Sequence, residues 1–209
     1  QVWRYVCDHT PEHPALRACR ERTAEHPRAE MQIAPEQGGL MALLTRLIGA
    51  QRYLEVGTFT GYSALAVTLA MGDTGHATCC DVSEEFTDLA QRSWDEAGVR
   101  ERIDLRIAPA LDTLDALRSE GRENAYDLAF IDADKQPTLA YYEHCLALVR
   151  PGGLVMLDNC LHEGRVADPD DLGTTSTVMR EANAFFQRDP RVEATLIPIA
   201  DGLHVARKK

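Results

Sequence analysis

A short apolar run that ends in charged residues constrains the fold of this chain more than any other feature. The run from Leu128 to Ile131 predicts a strand that is buried on both faces. Two carboxylates and an amine follow directly, at Asp132, Asp134 and Lys135. Open α/β sheets bind their ligands at the carboxyl ends of parallel strands, so we expect a ligand site at this point.

A second stretch repeats this arrangement further along the chain. The apolar run from Gly153 to Leu157 ends in Asp158 and Asn159. Two neighbouring strands would bring these two side chains and Asp132 to one rim of the sheet. Carboxylate and amide oxygens suit a hard divalent cation such as Mg²⁺, Mn²⁺ or Ca²⁺. A strand-end aspartate can also be a simple cap, but two successive strands that both end in acid favour a metal site.

Lys135 follows Asp132 closely enough for its amine to lie over this rim. Most lysines are solvated surface charges, and a lone one would carry no argument. Close to a metal and partly removed from water, an amine loses its proton more readily and can serve as a base.

Strands and helices alternate five times along the chain, and a hairpin follows. Predicted strands cover residues 53–56, 76–81, 103–107, 128–131 and 153–157. Predicted helices cover residues 62–70, 83–97, 111–117, 137–149 and 178–187. The hairpin joins residues 192–199 to 203–207 through Asp201 and Gly202. This order predicts an α/β fold: a Rossmann-like, doubly wound, mostly parallel seven-stranded sheet with a C-terminal antiparallel hairpin and helices on both faces.

We expect residues 1–209 to form a single domain. The first thirty residues are polar and rich in Arg, Glu, His and Pro, and a helix is predicted over about residues 12–24. They are interpreted as an N-terminal helical extension over the active site. Residues 31–38 then connect this extension to an apolar helical stretch at 40–48.

Composition and charge disfavour several classes of partner. A chain with 44% hydrophobic and 26% charged residues is typical of a globular protein. A net charge of −11 argues against nucleic acid and anionic membranes as partners. No apolar run reaches membrane-spanning length, and no signal peptide is predicted. The six cysteines show no metal-binding spacing, so we interpret them as free thiols in a cytoplasmic protein.

A glycine turn follows the first predicted strand, from Gly57 to Gly61. Glycines let a ligand approach the backbone, and the following helix offers free N–H groups. The spacing is not the dinucleotide fingerprint, and Glu55 would repel a pyrophosphate but attract a cationic amino-acid ligand. Asp81 ends the second strand, where an acid commonly binds ribose hydroxyls. The alternatives are that the glycines serve only the turn and that Asp81 shares a helix cap with Ser83.

Four motifs then resemble one family. They are Glu-Val-Gly-Thr-Phe-Thr-Gly-Tyr-Ser at 55–63, Phe-Ile-Asp-Ala-Asp-Lys at 130–135, the segment from Val-Arg-Pro-Gly-Gly at 149–153 to Asp-Asn at 158–159, and Leu-Ile-Pro-Ile-Ala-Asp-Gly at 196–202. In order and spacing they resemble the cation-dependent class I O-methyltransferases of the caffeoyl-CoA and catechol group. The resemblance extends to bacterial members that methylate catechols in secondary metabolism, and residues 31–38 resemble their N-terminal motif.

The resemblance implies a role for each matching position. The methionine part of S-adenosylmethionine (SAM) is expected at Glu55, Gly57, Thr58 and Ser63, with a backbone contact from Ile33. Its ribose is expected at Asp81, its adenine at Ala110, and a further cofactor contact at Asp134. The implied metal ligands are Asp132, Asp158 and Asn159, and the implied catalytic residues are Lys135, as general base, and Asp132.

The reaction implied is Mg²⁺-dependent methyl transfer from SAM to one hydroxyl of a small catechol-type acceptor, in a homodimeric enzyme. The loop 160–177 and the N-terminal extension would close over the acceptor. The chain departs from the family at Cys160-Leu161-His162, where Thr-Leu-Trp is common, and His162 is the one histidine expected to touch substrate. It also lacks a clear equivalent of the glutamate that steadies the second hydroxyl in animal catechol enzymes; Asp201 is the nearest acid.

Other functions stay open from the sequence. An NAD-dependent oxidoreductase would share the sheet and Asp81, although the dinucleotide glycine spacing is missing. A non-catalytic adenosyl- or metal-binding module would not need Lys135 beside Asp132. Within the family, a caffeoyl-CoA-like thioester is the alternative acceptor.

Overall fold

Seven strands form one sheet in the computed structural model, which describes residues 1–209. The strands are β1 (Arg52–Val56), β2 (His76–Asp81), β3 (Ile103–Ile107), β4 (Tyr126–Ile131), β5 (Val149–Leu157), β6 (Val192–Ile197) and β7 (Leu203–Lys208). Their order is β3-β2-β1-β4-β5-β7-β6. The first five strands are parallel, and β7 is antiparallel to both β5 and β6. The predicted fold class is confirmed.

Eight α-helices accompany the sheet. They are α1 (Val2–His9), α2 (Pro14–Thr23), α3 (Pro35–Leu47), α4 (Tyr62–Ala70), α5 (Glu84–Glu96), α6 (Ala110–Ser119), α7 (Thr138–Leu148) and α8 (Thr174–Arg188). Helix α1 was not predicted, because its apolar residues remain exposed and the segment is short. None of these helices combines the length and the apolar surface that a membrane-spanning segment needs.

Several predicted boundaries are wrong, among them two near Pro151 and one at Pro198. The predicted helix through Val149 ends one residue earlier, and β5 begins at Val149 instead of Gly153. Pro151 forces the residue before it into extended backbone, so the chain enters the sheet directly from the helix. Strand β6 stops at Ile197 because Pro198 has no N–H to continue the ladder.

Alternating side chains of the strands pack into two hydrophobic cores, one on each face of the sheet. Cys79 packs in one core and Cys80 in the other, because successive side chains of a strand point to opposite faces. All six cysteines are free, and these two are fully buried. The adjacent thiols therefore act as small hydrophobic side chains.

Strand register brings the ends of β1, β4 and β5 to the same edge. Val56 pairs with Ile131, and Ile131 pairs with Leu157. The next backbone amides continue the ladder: Asp132 N–H donates to the carbonyl oxygen of Val56 at 2.8 Å, and Asp158 N–H donates to that of Ile131 at 3.0 Å. The residues that follow each strand therefore emerge side by side.

Candidate active site

A cavity of about 1050 Å³ opens at this carboxyl edge of the sheet. The ends of β1, β2, β4 and β5 form its floor, and residues 30–34 form part of its wall. Its size lies at the upper end of the range for small-molecule sites, so two ligands can occupy it together.

The predicted metal ligands meet in this cavity. Asp132, Asp158 and Asn159 all line it, together with Lys135. The Nζ atom of Lys135 lies 3.0 Å from Oδ1 of Asp132. Asn159 adopts a left-handed conformation at φ 57°, and its N–H donates to Oδ1 of Asp158 at 2.7 Å.

The charge of Asp158 is poorly compensated within the protein. Its side chain is buried, and this burial, with the negative charge of Asp132 added, raises the pKa of Asp158 to about 8. Lys135 opposes the shift only in part. No three His, Cys, Asp or Glu side chains converge on a common point; the donor set is two carboxylates and one amide. A hard divalent cation fits these oxygens and would supply the missing positive charge.

Glu55 is a second buried carboxylate with incomplete partners. It is 0% exposed, and its Oε2 accepts a hydrogen bond of 2.5 Å from the hydroxyl of Tyr53. Its Oε1 has no partner. Burial raises the pKa of Glu55 to about 8 despite hydrogen bonding from Tyr53, Ser63 and Thr58. A cationic ligand group reaching Oε1 would stabilise the ionised form.

Glu55, Thr58 and Ser63 nevertheless lie beneath the cavity surface. All three are buried and none lines the cavity, whereas Gly57 does. At Gly57 φ is +87°, and a Cβ there would collide with the carbonyl oxygen of Asp132. This glycine is therefore required by the backbone packing of the turn, which was the alternative to a role in ligand binding. It also gives a ligand access to the turn.

Asp81 lines the cavity and organises the turn through four backbone amides. One carboxylate oxygen accepts from the N–H groups of Thr58 and Phe59 at 2.9 and 2.8 Å. The other accepts from Val82 and Ser83 at 2.8 and 2.9 Å. The helix cap of α5 belongs to Ser83 alone, whose hydroxyl accepts from the N–H of Phe86, so the shared cap that competed with ribose binding is not formed. A ribose hydroxyl would have to share lone pairs that already accept these bonds.

The remaining predicted cofactor residues also line the cavity. Ile33, Ala110 and Asp134 face it from three different segments. Asp134 Oδ1 accepts a 2.6 Å hydrogen bond from the hydroxyl of Tyr141, which itself lines the cavity from helix α7. This bond fixes the orientation of the Asp134 carboxylate.

Two expectations about the rim differ from the structure. His162 does not line the cavity, and its Nδ1 lies 2.9 Å from the hydroxyl oxygen of Ser176. None of residues 160–177 lines the cavity; Ala200 and Asp201 of the β6–β7 turn do. The Asp201 carboxylate accepts a 2.6 Å hydrogen bond from the N–H of Glu163, which ties the loop to this turn. Asp201 is therefore more than a turn residue.

Sequence reasoning missed Gln37 and the aromatic pair Phe59 and Phe86. The two rings pack edge to face with centroids 5.0 Å apart, and both line the cavity. Gln37 lines it too, 0% exposed and without a hydrogen-bond partner for either side-chain atom. A glutamine in a helical first turn looks like a surface residue in sequence, so only the packing identifies it.

Comparisons with known proteins agree with this geometry. Residues 7–209 match the family model described as O-methyltransferase. The chain is 43% identical over 208 residues to mouse (Mus musculus) catechol O-methyltransferase domain-containing protein 1, covering 99% of this chain and 79% of that protein. It is 35% identical over 216 residues to the caffeoyl-CoA O-methyltransferase of Eucalyptus gunnii, covering 99% of this chain and 87% of that protein.

A solved structure gives the same result. The O-methyltransferase from Bacillus cereus, in complex with S-adenosylhomocysteine (SAH), superposes with a TM-score of 0.89 at 31% identity, covering 100% of this chain and 97% of that one. The family predicted from the four motifs is thereby confirmed. The chain belongs to the O-methyltransferase family and is a SAM-dependent O-methyltransferase.

Proposed function

We propose that this enzyme transfers the methyl group of SAM to one hydroxyl of a small catechol-type acceptor, with a divalent cation, Mg²⁺ foremost, at the rim of the sheet. The observation that carries the proposal is the convergence of Asp132, Asp158 and Asn159 in one cavity, with the Lys135 amine 3.0 Å from Asp132. Two vicinal hydroxyls match such an oxygen-rich rim better than a single hydroxyl does.

The cofactor is assigned to the side of the cavity formed by β1 and β2. Glu55 holds the ammonium group of the methionine part, with Gly57, Thr58, Ser63 and the Ile33 backbone around it. The unpaired Oε1 of Glu55 supports this assignment, because a buried carboxylate oxygen requires a donor. For direct contact, the ligand must reach past the glycine turn to this oxygen.

The adenosine end lies further along the same wall. Asp81 accepts from the ribose hydroxyls, Ala110 contacts the adenine, and Asp134 gives a further contact. Their places in the cavity lining support these roles. The edge-to-face pair Phe59 and Phe86 adds an apolar surface beside Asp81.

The divalent cation is assigned to Asp132, Asp158 and Asn159. When bound, it would supply Lewis-acid chemistry that lowers the pKa of an acceptor hydroxyl. Asp158 is buried, and the nearby positive charge of Lys135 offsets the cost of ionising it only in part. This supports a cation at this point. Asn159, a neutral ligand, limits the repulsion between the two carboxylates.

Lys135 is the proposed general base. Its amine lies at the rim, held toward Asp132, and both side chains are 19% exposed. It accepts the proton of the hydroxyl to be methylated. Methyl transfer then requires the oxygen, the methyl carbon and the sulfur in line, so the walls of the cavity contribute by positioning.

A caffeoyl-CoA-like thioester is the second candidate acceptor, favoured by the 35% identity to the Eucalyptus gunnii enzyme. A role in secondary metabolism, a homodimeric state and a cytoplasmic location belong to the proposal as well. The N-terminal extension is proposed to cover the acceptor. A dinucleotide-dependent oxidoreductase is not favoured by the family match.

The test is an acceptor panel assayed for SAH release. It contains catechols, caffeoyl-CoA and matched monohydroxy compounds, each with Mg²⁺, with EDTA, and with EDTA followed by excess Mg²⁺. We expect methylation of vicinal diols only, lost with EDTA and restored by Mg²⁺. Full activity in EDTA would make the acidic rim structural, and equal turnover of monohydroxy compounds would refute the diol assignment.

A further inference from the structure

Gln37 presents an unused carboxamide to the active-site cavity. The residue lies in the first turn of α3, two positions after Pro35, and is fully buried. Neither Oε1 nor Nε2 has a hydrogen-bond partner in the protein. Buried carboxamides are almost always paired, so an unpaired one at a cavity wall indicates a ligand contact.

The position of Gln37 places this contact at the acceptor end of the cavity. The amide lies close enough to Asp158 for weak side-chain hydrogen bonding to favour the charged form of that carboxylate, at a separation longer than that of a regular hydrogen bond. Asp158 and Asn159 belong to the proposed cation site, whereas Asp81 and Ala110 belong to the adenosine end. Gln37 therefore faces the region in which the two acceptor hydroxyls must lie.

The rest of α3 keeps the carboxamide in this place. The indole N–H of Trp3 donates to Glu36 at 2.9 Å and so ties the start of α3 to α1. On the other side, Gly38 sits against Tyr62, where even a Cβ would approach the ring to 2.8 Å. Gln37 is held between these two contacts and has no exposed surface through which it could turn to water.

We propose that Gln37 is a specificity residue that holds the acceptor hydroxyl that is not methylated. That hydroxyl keeps its proton and needs an acceptor, and Oε1 provides one. Nε2 remains free to donate to a hydroxyl oxygen or to the neighbouring Asp158 carboxylate. By fixing one hydroxyl, Gln37 decides which of the two faces the methyl donor. This proposal rests on the proposed function.

The test replaces Gln37 by leucine, which is of similar size and has no polar atom. Steady-state kinetics are measured with an unsymmetrical catechol, and the two methylated products are separated by NMR. We expect kcat/KM for the catechol to fall roughly tenfold to a hundredfold, because a buried hydroxyl loses its partner. The ratio of the two products should move toward equality.

Two measurements separate this role from a structural one. The melting temperature of the ligand-free Gln37→Leu protein should not fall, since an unpaired buried polar group is replaced by an apolar one. Its affinity for SAH, measured by calorimetry, should equal that of the wild type. Gln187→Leu makes the same change at an exposed position of α8 and serves as the control.

Several results would overturn the proposal. They are an unchanged kcat/KM for the catechol, a weakened affinity for SAH, or an unchanged product ratio. If Gln37→Leu does not fold, Gln37→Met removes the same polar atoms with a flexible side chain and decides the question. A wild-type enzyme that methylates no diol would instead refute the proposed function, before any variant is compared.

Discussion

Lys135 is the residue whose chemistry the proposed reaction needs most directly. Most lysines point into water, but this one lies at a cavity rim with its amine 3.0 Å from a carboxylate. Its position results from one local fact: β4 ends at Ile131, so the next four residues turn over the edge of the sheet. A short apolar run followed by acids and an amine was sufficient to predict this placement.

Removal of the Lys135 amine should abolish most turnover without affecting cofactor binding. We expect Lys135→Ala to lower kcat by roughly a hundredfold or more, the usual contribution of a general base. Lys135→Arg keeps a positive charge near Asp132 but cannot release a proton at neutral pH, so it should be equally impaired. SAH affinity, measured by calorimetry, should stay within about twofold in both variants, because neither change touches the cofactor wall. Normal turnover in either variant would remove Lys135 from the mechanism.

Among the elements, strands were predicted better than the segments that cover them. Strands β4 and β5 contain short apolar runs bounded by charge or glycine, and that pattern depends on local sequence alone. Helix α1 and residues Ala200 and Asp201 obtain their positions from distant partners, such as the contact of Trp3 with Glu36. Periodicity carries no information on such contacts. For the same reason, Gln37 looked like an ordinary polar residue until its burial was known.

Helix α2 holds the N-terminal segment against the rest of the molecule through one polar cluster. Glu12 accepts two hydrogen bonds from Arg20, at 2.9 and 2.8 Å, and one of 2.8 Å from the hydroxyl of Tyr62 on α4. Burial acts in the opposite direction, but these bonds lower the pKa of Glu12 overall. The same segment continues into residues 30–34 of the cavity wall.

Loss of this cluster should loosen α2 and the cavity wall together. We expect Glu12→Ala to cost about 1–3 kcal/mol, because Tyr62 loses its partner in a largely buried position. Hydrogen exchange should accelerate over residues 14–34, and KM values should rise. Glu21→Ala, at an exposed position of α2, is the control. Unchanged exchange over residues 14–34 in Glu12→Ala would show that apolar packing alone holds the segment.

As a whole, the molecule places negative charge in its interior where its ligands are expected to bind. With a net charge of −11, it has no surplus of cations to neutralise Glu55 and Asp158. Both carboxylates are buried, and burial is the main cause of their raised pKa values. The ligand-free protein therefore keeps two groups that ionise at a cost, as expected for a site completed by a cationic cofactor and a metal ion.

The stability of the ligand-free enzyme should therefore fall as pH rises. The pKa of Glu55 is about 8 in the folded protein, against an ordinary value of 4.5. Between these two values the folded state binds one more proton at this residue than the unfolded state does. The free energy of unfolding therefore decreases as pH rises through this range. His204, with its pKa lowered by burial, contributes the opposite slope below its usual value of 6.5, so pH 6.5 to 8.5 is the informative range. We expect the melting temperature to drop by several degrees across it, at about 2–4 °C per kcal/mol. Glu55→Gln should reduce this drop without abolishing it, because Asp158, whose pKa is also raised to about 8, contributes the same slope. The exposed-site control Glu193→Gln should leave the drop unchanged. Parallel curves for wild type and Glu55→Gln would mean that Glu55 is already ionised in the free enzyme.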